Sequence, residues 1–257
     1  MICKLCESEK ELKSSHVIPR FLYRYMLNVT DGYLTQYHSH LNLWQKSNRQ
    51  LKKELFCFEC EQLLSKNELA FSEIFKQINE SSDSEKAVFL YAVLDDLEIN
   101  KLEQKGYDQK SIDALLKSNP IYDKIHILEY FAISYIYREL LNNSYTIPES
   151  EKRLLQNYLL NGSTCSFMLH VRLHNSQPSF NLVTTATVFD ALDDWKHYTF
   201  YVPNMQFHVA LRVGGTPEDM SKTIVMPSNF FDDDLGSIEI IRNTQSGSRK
   251  SANLNQT

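Results

Sequence analysis

Four of the chain's five cysteines fall in two pairs, Cys3-Lys4-Leu5-Cys6 and Cys57-Phe58-Glu59-Cys60. A C-x2-C pair bends the backbone so that both sulfurs face one point, and two such pairs can close a tetrahedral thiolate shell around a single zinc ion. The competing reading is two unrelated pairs of reduced thiols. A shared zinc would make residues 1–80 one metal-clipped unit. The gap from Cys6 to Cys57 is longer than a simple zinc ribbon uses, so a folded insertion lies between the pairs.

That insertion is where positive charge collects. The formal net charge is -5, which argues against a protein that coats nucleic acid through bulk charge. From 13 to 53, however, the chain carries Lys13, Arg20, Arg24, Lys46, Arg49, Lys52 and Lys53 against the lone acid Asp31. A basic surface beside a metal site suits a phosphate-backbone ligand; the alternative is a solvated basic face. The acidic groups Asp190, Asp193, Asp194 and Asp232, Asp233, Asp234 read as acidic turns, and His38 with His40 as surface or structural residues. There is no G-x-S-x-G, no phosphate-cradling glycine loop and no internal repeat.

These residues need a scaffold, and 257 residues are enough to bury a proper core. Pro19 fits the first turn of a helix, and Phe21, Leu22, Tyr25 and Met26 place an amphipathic helix over 19–27, preceded by a short strand at His16-Val17-Ile18. Tyr33 to Leu43 reads as a strand after the Asp31-Gly32 turn. Leu63, Leu64, Phe71, Ile74, Phe75 and Ile78 recur with a 3.6-residue period, so the second cysteine pair opens a helix. Ser81-Ser82-Asp83-Ser84-Glu85 is polar punctuation and marks the expected domain boundary. Helices are expected at 86–101, 122–143 and 148–161, with His126 as a core or edge histidine. Strands are expected at 167–173, 180–188, 197–202 and 207–213, forming an antiparallel sheet, with edge strands at 223–226 and 238–241 and a loose C-terminal tail. Cys165 reads as a buried thiol. The fold class is α+β, with domains at 1–80 and 85–257. No apolar run approaches a membrane span and no signal-type stretch precedes Cys3, which points to the cytoplasm, where thiols stay reduced.

At Cys3-x2-Cys6, Ser15-His16-Val17-Ile18-Pro19 and Leu55-Phe56-Cys57-x2-Cys60-Glu61 the chain resembles an HNH endonuclease of the zinc-containing ββα-metal type, in a divergent form. The resemblance covers roughly 1–80. It implies that His16 is the general base, that Glu61, with Glu68, holds a catalytic Mg or Mn ion, and that Arg49, Lys52 and Lys53 bind neighbouring phosphates. Asn48 is the counterpart of the family's middle asparagine, although the usual spacing falls near Lys52. The chain departs from the family at Ser15, where a carboxylate or histidine ligand is usual, and at Glu61, which replaces a histidine. Hard cations accept carboxylate oxygen as readily as imidazole nitrogen.

Two functions follow. The first is a metal-dependent endonuclease hydrolysing phosphodiester bonds in DNA, with antiphage defence against mobile elements as the setting the resemblance implies. The second is a non-catalytic zinc module that binds nucleic acid or a protein partner, having lost its catalytic ion through Ser15 and Glu61. The aromatic-rich second domain offers a surface for a protein partner or a second copy, and no membrane partner is expected.

Overall fold

The computed structural model describes residues 1–30, 32–38, 43–82, 96–142, 147–162, 167–176, 179–190, 195–213 and 222–230. Its architecture is α+β: an N-terminal β/α region, a helical middle and a C-terminal mixed sheet. Strand β1 (Leu12–His16) pairs antiparallel with β4 (Lys52–Cys57), and between them come helix α1 (Arg20–Val29) and the antiparallel pair β2 (Thr35–His38) and β3 (Leu43–Lys46). The expected strand at His16–Ile18 therefore lies earlier in the chain. It ends at His16 because Pro19 sits at the N-cap of α1 and cannot donate to a ladder; Val17 still donates to Leu51 O (3.0 Å). The single strand expected over 33–43 is replaced by β2 and the start of β3.

Helix α2 (Phe58–Glu80) follows β4 without a break and buries Cys60, Leu64, Phe71, Ile74, Phe75 and Ile78, the stripe its period predicts except for Leu63, which is half-buried. Helices α3 (Asp96–Gln104), α4 (Gln109–Lys117), α5 (Ile125–Asn142, entered through a 3-10 turn at Tyr122–Lys124) and α6 (Glu149–Asn161) complete the middle. Asp108 caps α4 by accepting from Ser111 N (2.8 Å). Gly162 ends α6 at φ 63, a left-handed position that glycine adopts without a Cβ clash. His126 is exposed near the start of α5.

Strands β5 (Phe167–His174), β6 (Thr187–Asp190), β7 (Trp195–Val202), β8 (Met205–Arg212) and β9 (Lys222–Ser228) form one sheet in the order β6-β7-β8-β5-β9. The expected all-antiparallel sheet is corrected to a mixed one, because β9 runs parallel to β5. Both sides of β8 are occupied by β7 and β5, so β9, antiparallel in sense to β8, is added on the far side of β5. The strand expected from Phe180 starts only at Thr187. Phe180 is instead drawn into a small cluster with Tyr201 and Phe230, and its N–H donates to Asn204 Oδ1 (2.7 Å). The expected strand at 238–241, the tail, Cys165, His40 and the acidic residues 193, 194 and 232–234 lie outside the described residues.

One continuous apolar cluster runs from Cys3 and Phe56 through α2 and α5 to β5, β7 and β8. Helix α5 is its axis: Phe131 stacks on Phe71 of α2 with ring centroids 3.6 Å apart and leans on Phe207 of β8 at 5.5 Å, while Tyr135 stacks on Phe200 of β7 at 4.3 Å. Such rings combine large apolar burial with stacking geometry, so the sheet, α5 and the cysteine-bearing helix pack as one body. No helix among the described residues is long and apolar enough to cross a membrane.

Candidate metal centre and the surface around His16

The first cysteine pair sits in a tight turn in which Cys3 N donates to Ser8 O (3.0 Å), Glu7 N donates to Cys3 O (3.0 Å) and Glu7 takes φ 56. Lys4 N donates to Leu55 O (2.9 Å), which sets this turn beside the end of β4, where the second pair opens α2. Tyr137 of α5 and Gln156 of α6 both donate to Lys4 O, the latter at 3.0 Å. The four sulfurs of Cys3, Cys6, Cys57 and Cys60 consequently converge within 4.8 Å of one another.

The donor set fits zinc. A tetrahedral Zn–S shell with bonds of about 2.3 Å places sulfurs roughly 3.8 Å apart, and Cys6 Sγ and Cys57 Sγ are 3.8 Å apart. Cys57 N also donates to Cys3 Sγ (3.3 Å). Burial pushes the Cys57 and Cys60 thiols up; at Cys6 burial is outweighed by hydrogen bonds from Ser8, which bring that thiol down to about 6. Four crowded thiols ionise together only if a cation takes the place of their protons. The cluster is compatible with a structural zinc ion, whose thiolate ligands the first turn of α2 would help to keep charged.

Around His16 the sequence-predicted residues divide. Lys52 is the register partner of His16 and is exposed, as are Arg20, Arg24 and Arg49. Lys53 turns away and donates to Asn142 O at the end of α5 (2.7 Å). Asn48 also faces elsewhere: its Oδ1 accepts from Leu34 N (3.0 Å) and its Nδ2 donates to Gly32 O (3.1 Å), tying down the start of the β2–β3 pair. The residue that meets the imidazole is Gln50, whose Oε1 lies 2.6 Å from His16 Nε2. With the amide oxygen accepting, Nε2 carries the proton and Nδ1 the lone pair. Burial lowers the His16 pKa, the Gln50 bond opposes this, and the charges of Lys52, Arg20 and Arg138 reinforce it, which favours the neutral ring.

The carboxylates behind His16 are already engaged. Ser15 Oγ donates to Glu61 Oε2 (2.7 Å). Arg138 of α5, 1% exposed, brings Nη2 to 2.7 Å from Glu68 Oε1 and 3.9 Å from Glu61 Oε1, while Nη1 donates to His16 O (2.5 Å). Its guanidinium also lies over the Phe56 ring, 5.7 Å from the centroid. The Arg138–Glu68 contact is close but off the N–H axis, leaving Nη2 and Oε1 without an aligned hydrogen bond, so it acts as a charge pair. Burial raises the Glu68 pKa, Arg138 opposes this and Glu61 adds to it. Among the described residues, Glu61 and Glu68, expected to hold Mg or Mn, are instead engaged by Ser15 and by the buried guanidinium of Arg138.

Sequence reasoning missed Gln50 and Arg138. Gln50 carried a faint signal, being two residues from the asparagine considered. Arg138 carried none, because it lies 122 residues from the histidine whose carbonyl it grips.

Comparison with protein-family models, with characterised proteins and with solved structures returns no match for this chain.

Proposed function

We propose that this chain is a non-catalytic zinc module that binds nucleic acid through the basic surface around His16. The observation that carries this reading is the closed Ser15–Glu61–Arg138–Glu68 network, which occupies the carboxylates with an internal cation. A divalent ion would have to expel a buried guanidinium from both carboxylates, at the cost of stranding that charge. Arg20, Arg24, Arg49 and Lys52 are exposed and form no ion pair among the described residues, and Arg20 and Lys52 stand close enough to His16 for their charges to act on it. Such side chains position a phosphate backbone without reading sequence. The zinc clip keeps β4 and the start of α2 in place so that this surface is preformed.

One observation favours the metal-dependent HNH-type endonuclease as a second reading: His16 is bonded to Gln50, and burial together with the charges of Lys52, Arg20 and Arg138 favours its neutral form. That is the equipment of a general base. The pairing of β1 with β4, followed directly by α2, also supports a ββα arrangement. This reading requires Glu61 and Glu68 to exchange Arg138 for Mg or Mn.

The test measures fluorescence anisotropy of labelled duplex DNA, single-stranded DNA and RNA over a salt series, with wild type, Arg49→Ala and Lys52→Ala, and follows plasmid nicking in Mg or Mn with the same preparations. Salt-dependent binding, with a slope reduced by about 1 in each variant and no nicking, supports the binding module. Nicking that disappears in His16→Ala transfers the assignment to the endonuclease. Absence of binding to all three probes turns it to a protein partner.

A further inference from the structure

The face of the C-terminal sheet that points away from α5 carries three imidazoles in a row. In β5, Phe167, Leu169, Val171 and Leu173 are buried in the core, as are Tyr198, Phe200 and Val202 of β7 and Phe207, Val209 and Leu211 of β8. Side chains alternate across a strand, so His170, His197 and His208 project from the opposite face, where each is half-buried. His170 is the register partner of His208. His197 stands on β7 two residues before Thr199, the partner of His208 on the other side. Three adjacent strands therefore deliver one imidazole each to a single patch, and the sheet's hydrogen bonding fixes their spacing.

We propose that His170, His197 and His208 form a second transition-metal site, suited to Zn2+ and other ions of comparable softness and separate from the cysteine cluster. His197 Nδ1 and His208 Nε2 are 2.9 Å apart. Two nitrogens bound to one metal by bonds of about 2.1 Å, at angles between square and tetrahedral, lie roughly 3.0–3.4 Å apart, so this pair needs only a slight opening to take a metal ion, the shared proton passing to the far nitrogen of the ring that carries it. The third ring stands edge-on to His208 with centroids 5.9 Å apart, and His197 and His208 are 5.1 Å apart. Only the four cysteines, among the described residues, already bring three or more ligand atoms within 4.8 Å of one another, so His170 must swing toward the pair to complete the set. The other register partners of these rings, Thr199, Phe189, Ala210 and Ile224, are uncharged. Neutral imidazole suits zinc, copper and nickel. His174 on the same strand has a different role: it is fully buried, and its Nδ1 accepts from Phe230 N (3.2 Å).

The experiment counts zinc in the full chain after equilibration with buffered micromolar Zn2+, alongside the imidazole resonances during a zinc titration. The expected result is two zinc ions per chain in wild type and one in His170→Gln and His208→Gln, with the three imidazoles shifting only during the second equivalent. A single zinc per chain in wild type overturns the proposal. So does a second zinc retained by the triple variant H170Q/H197Q/H208Q, which would be an adventitious ion only. Should a glutamine variant fail to fold, judged by far-ultraviolet dichroism, the wild-type resonances decide: no shift of these rings with the second equivalent also overturns it.

Discussion

Ser15 and Glu61, 46 positions apart, are joined by a 2.7 Å hydrogen bond from Ser15 Oγ to Glu61 Oε2. The bond ties β1 to the first turn of α2 at the point where the resemblance to HNH endonucleases looks for two ligands of one ion. A serine hydroxyl that donates to a carboxylate occupies an oxygen a divalent cation would want, and Arg138 stands behind it with a full positive charge. This arrangement generates the first prediction.

Replacing Arg138 by Met leaves Glu68 and Glu61 facing each other without a cation, in a site where Arg138 is 1% exposed and Glu68 15%. Removing one partner of a buried pair costs about 3–5 kcal/mol. Urea denaturation of R138M should show a loss of this size, and R138M/E68Q should recover part of it. An unchanged midpoint in R138M would mean that the network contributes nothing to stability.

The cysteine cluster should contain one zinc that supports the fold without being its only source of stability. Cys60→Ser should lose that zinc and lower Tm, at roughly 2–4 °C for each kcal/mol lost in a chain of this size. Elemental analysis with a thermal melt checks this. A zinc-free Cys60→Ser protein that melts with wild type would deny the cluster its structural role.

His16 makes stability depend on pH with a definite sign. Its folded pKa lies below the ordinary 6.5, chiefly through burial, so the unfolded chain takes up this proton more readily than the native one. The stability linked to His16 is complete above about 6.5 and is lost as pH falls through that value toward the folded pKa. The His16 Hε1 resonance should titrate with a midpoint below 6.5, and His16→Gln should soften the decline in stability between pH 7 and 5. A midpoint above 6.5 would reverse the sign.

The apolar cluster shared by α2, α5 and the sheet predicts that the N-terminal region depends on the rest of the chain. Phe131→Ala removes the ring stacked on Phe71 and should cost about 3–5 kcal/mol. A fragment of residues 1–82 should hold zinc through its four cysteines yet bind a hydrophobic dye and self-associate, since Phe56, Phe71 and Phe75 lose their cover. Gel filtration and dye fluorescence test this, and a monodisperse, dye-silent fragment would establish 1–80 as an independent domain.

The elements read best from the sequence are those whose signal is local. The stripe from Leu63 to Ile78 recurs once per turn and specifies α2, and the same logic locates α5 and α6. The cysteine pairs needed only their C-x2-C spacing to announce four sulfurs around one point. Phe180 was misleading because strand propensity describes a half-buried pleat, whereas this ring is held by Tyr201 and Phe230 in a separate cluster. The parallel β9 was hidden for another reason: strand order depends on which edge remains open, and no residue of β9 records that.

The α+β class, the cysteine cluster and the helices that carry the core follow from the order of residues alone, because spacing and periodicity act over a few residues. The partners of His16 and of the carboxylates behind it come instead from the folded arrangement. Gln50 rather than Asn48 meets the imidazole, and Arg138, arriving from α5, pairs with Glu68, comes within 3.9 Å of Glu61 and holds the carbonyl of His16. The reason is physical: a buried charge must find its partner in space, and the packing of α5 against α2 brings that partner from the far side of the chain.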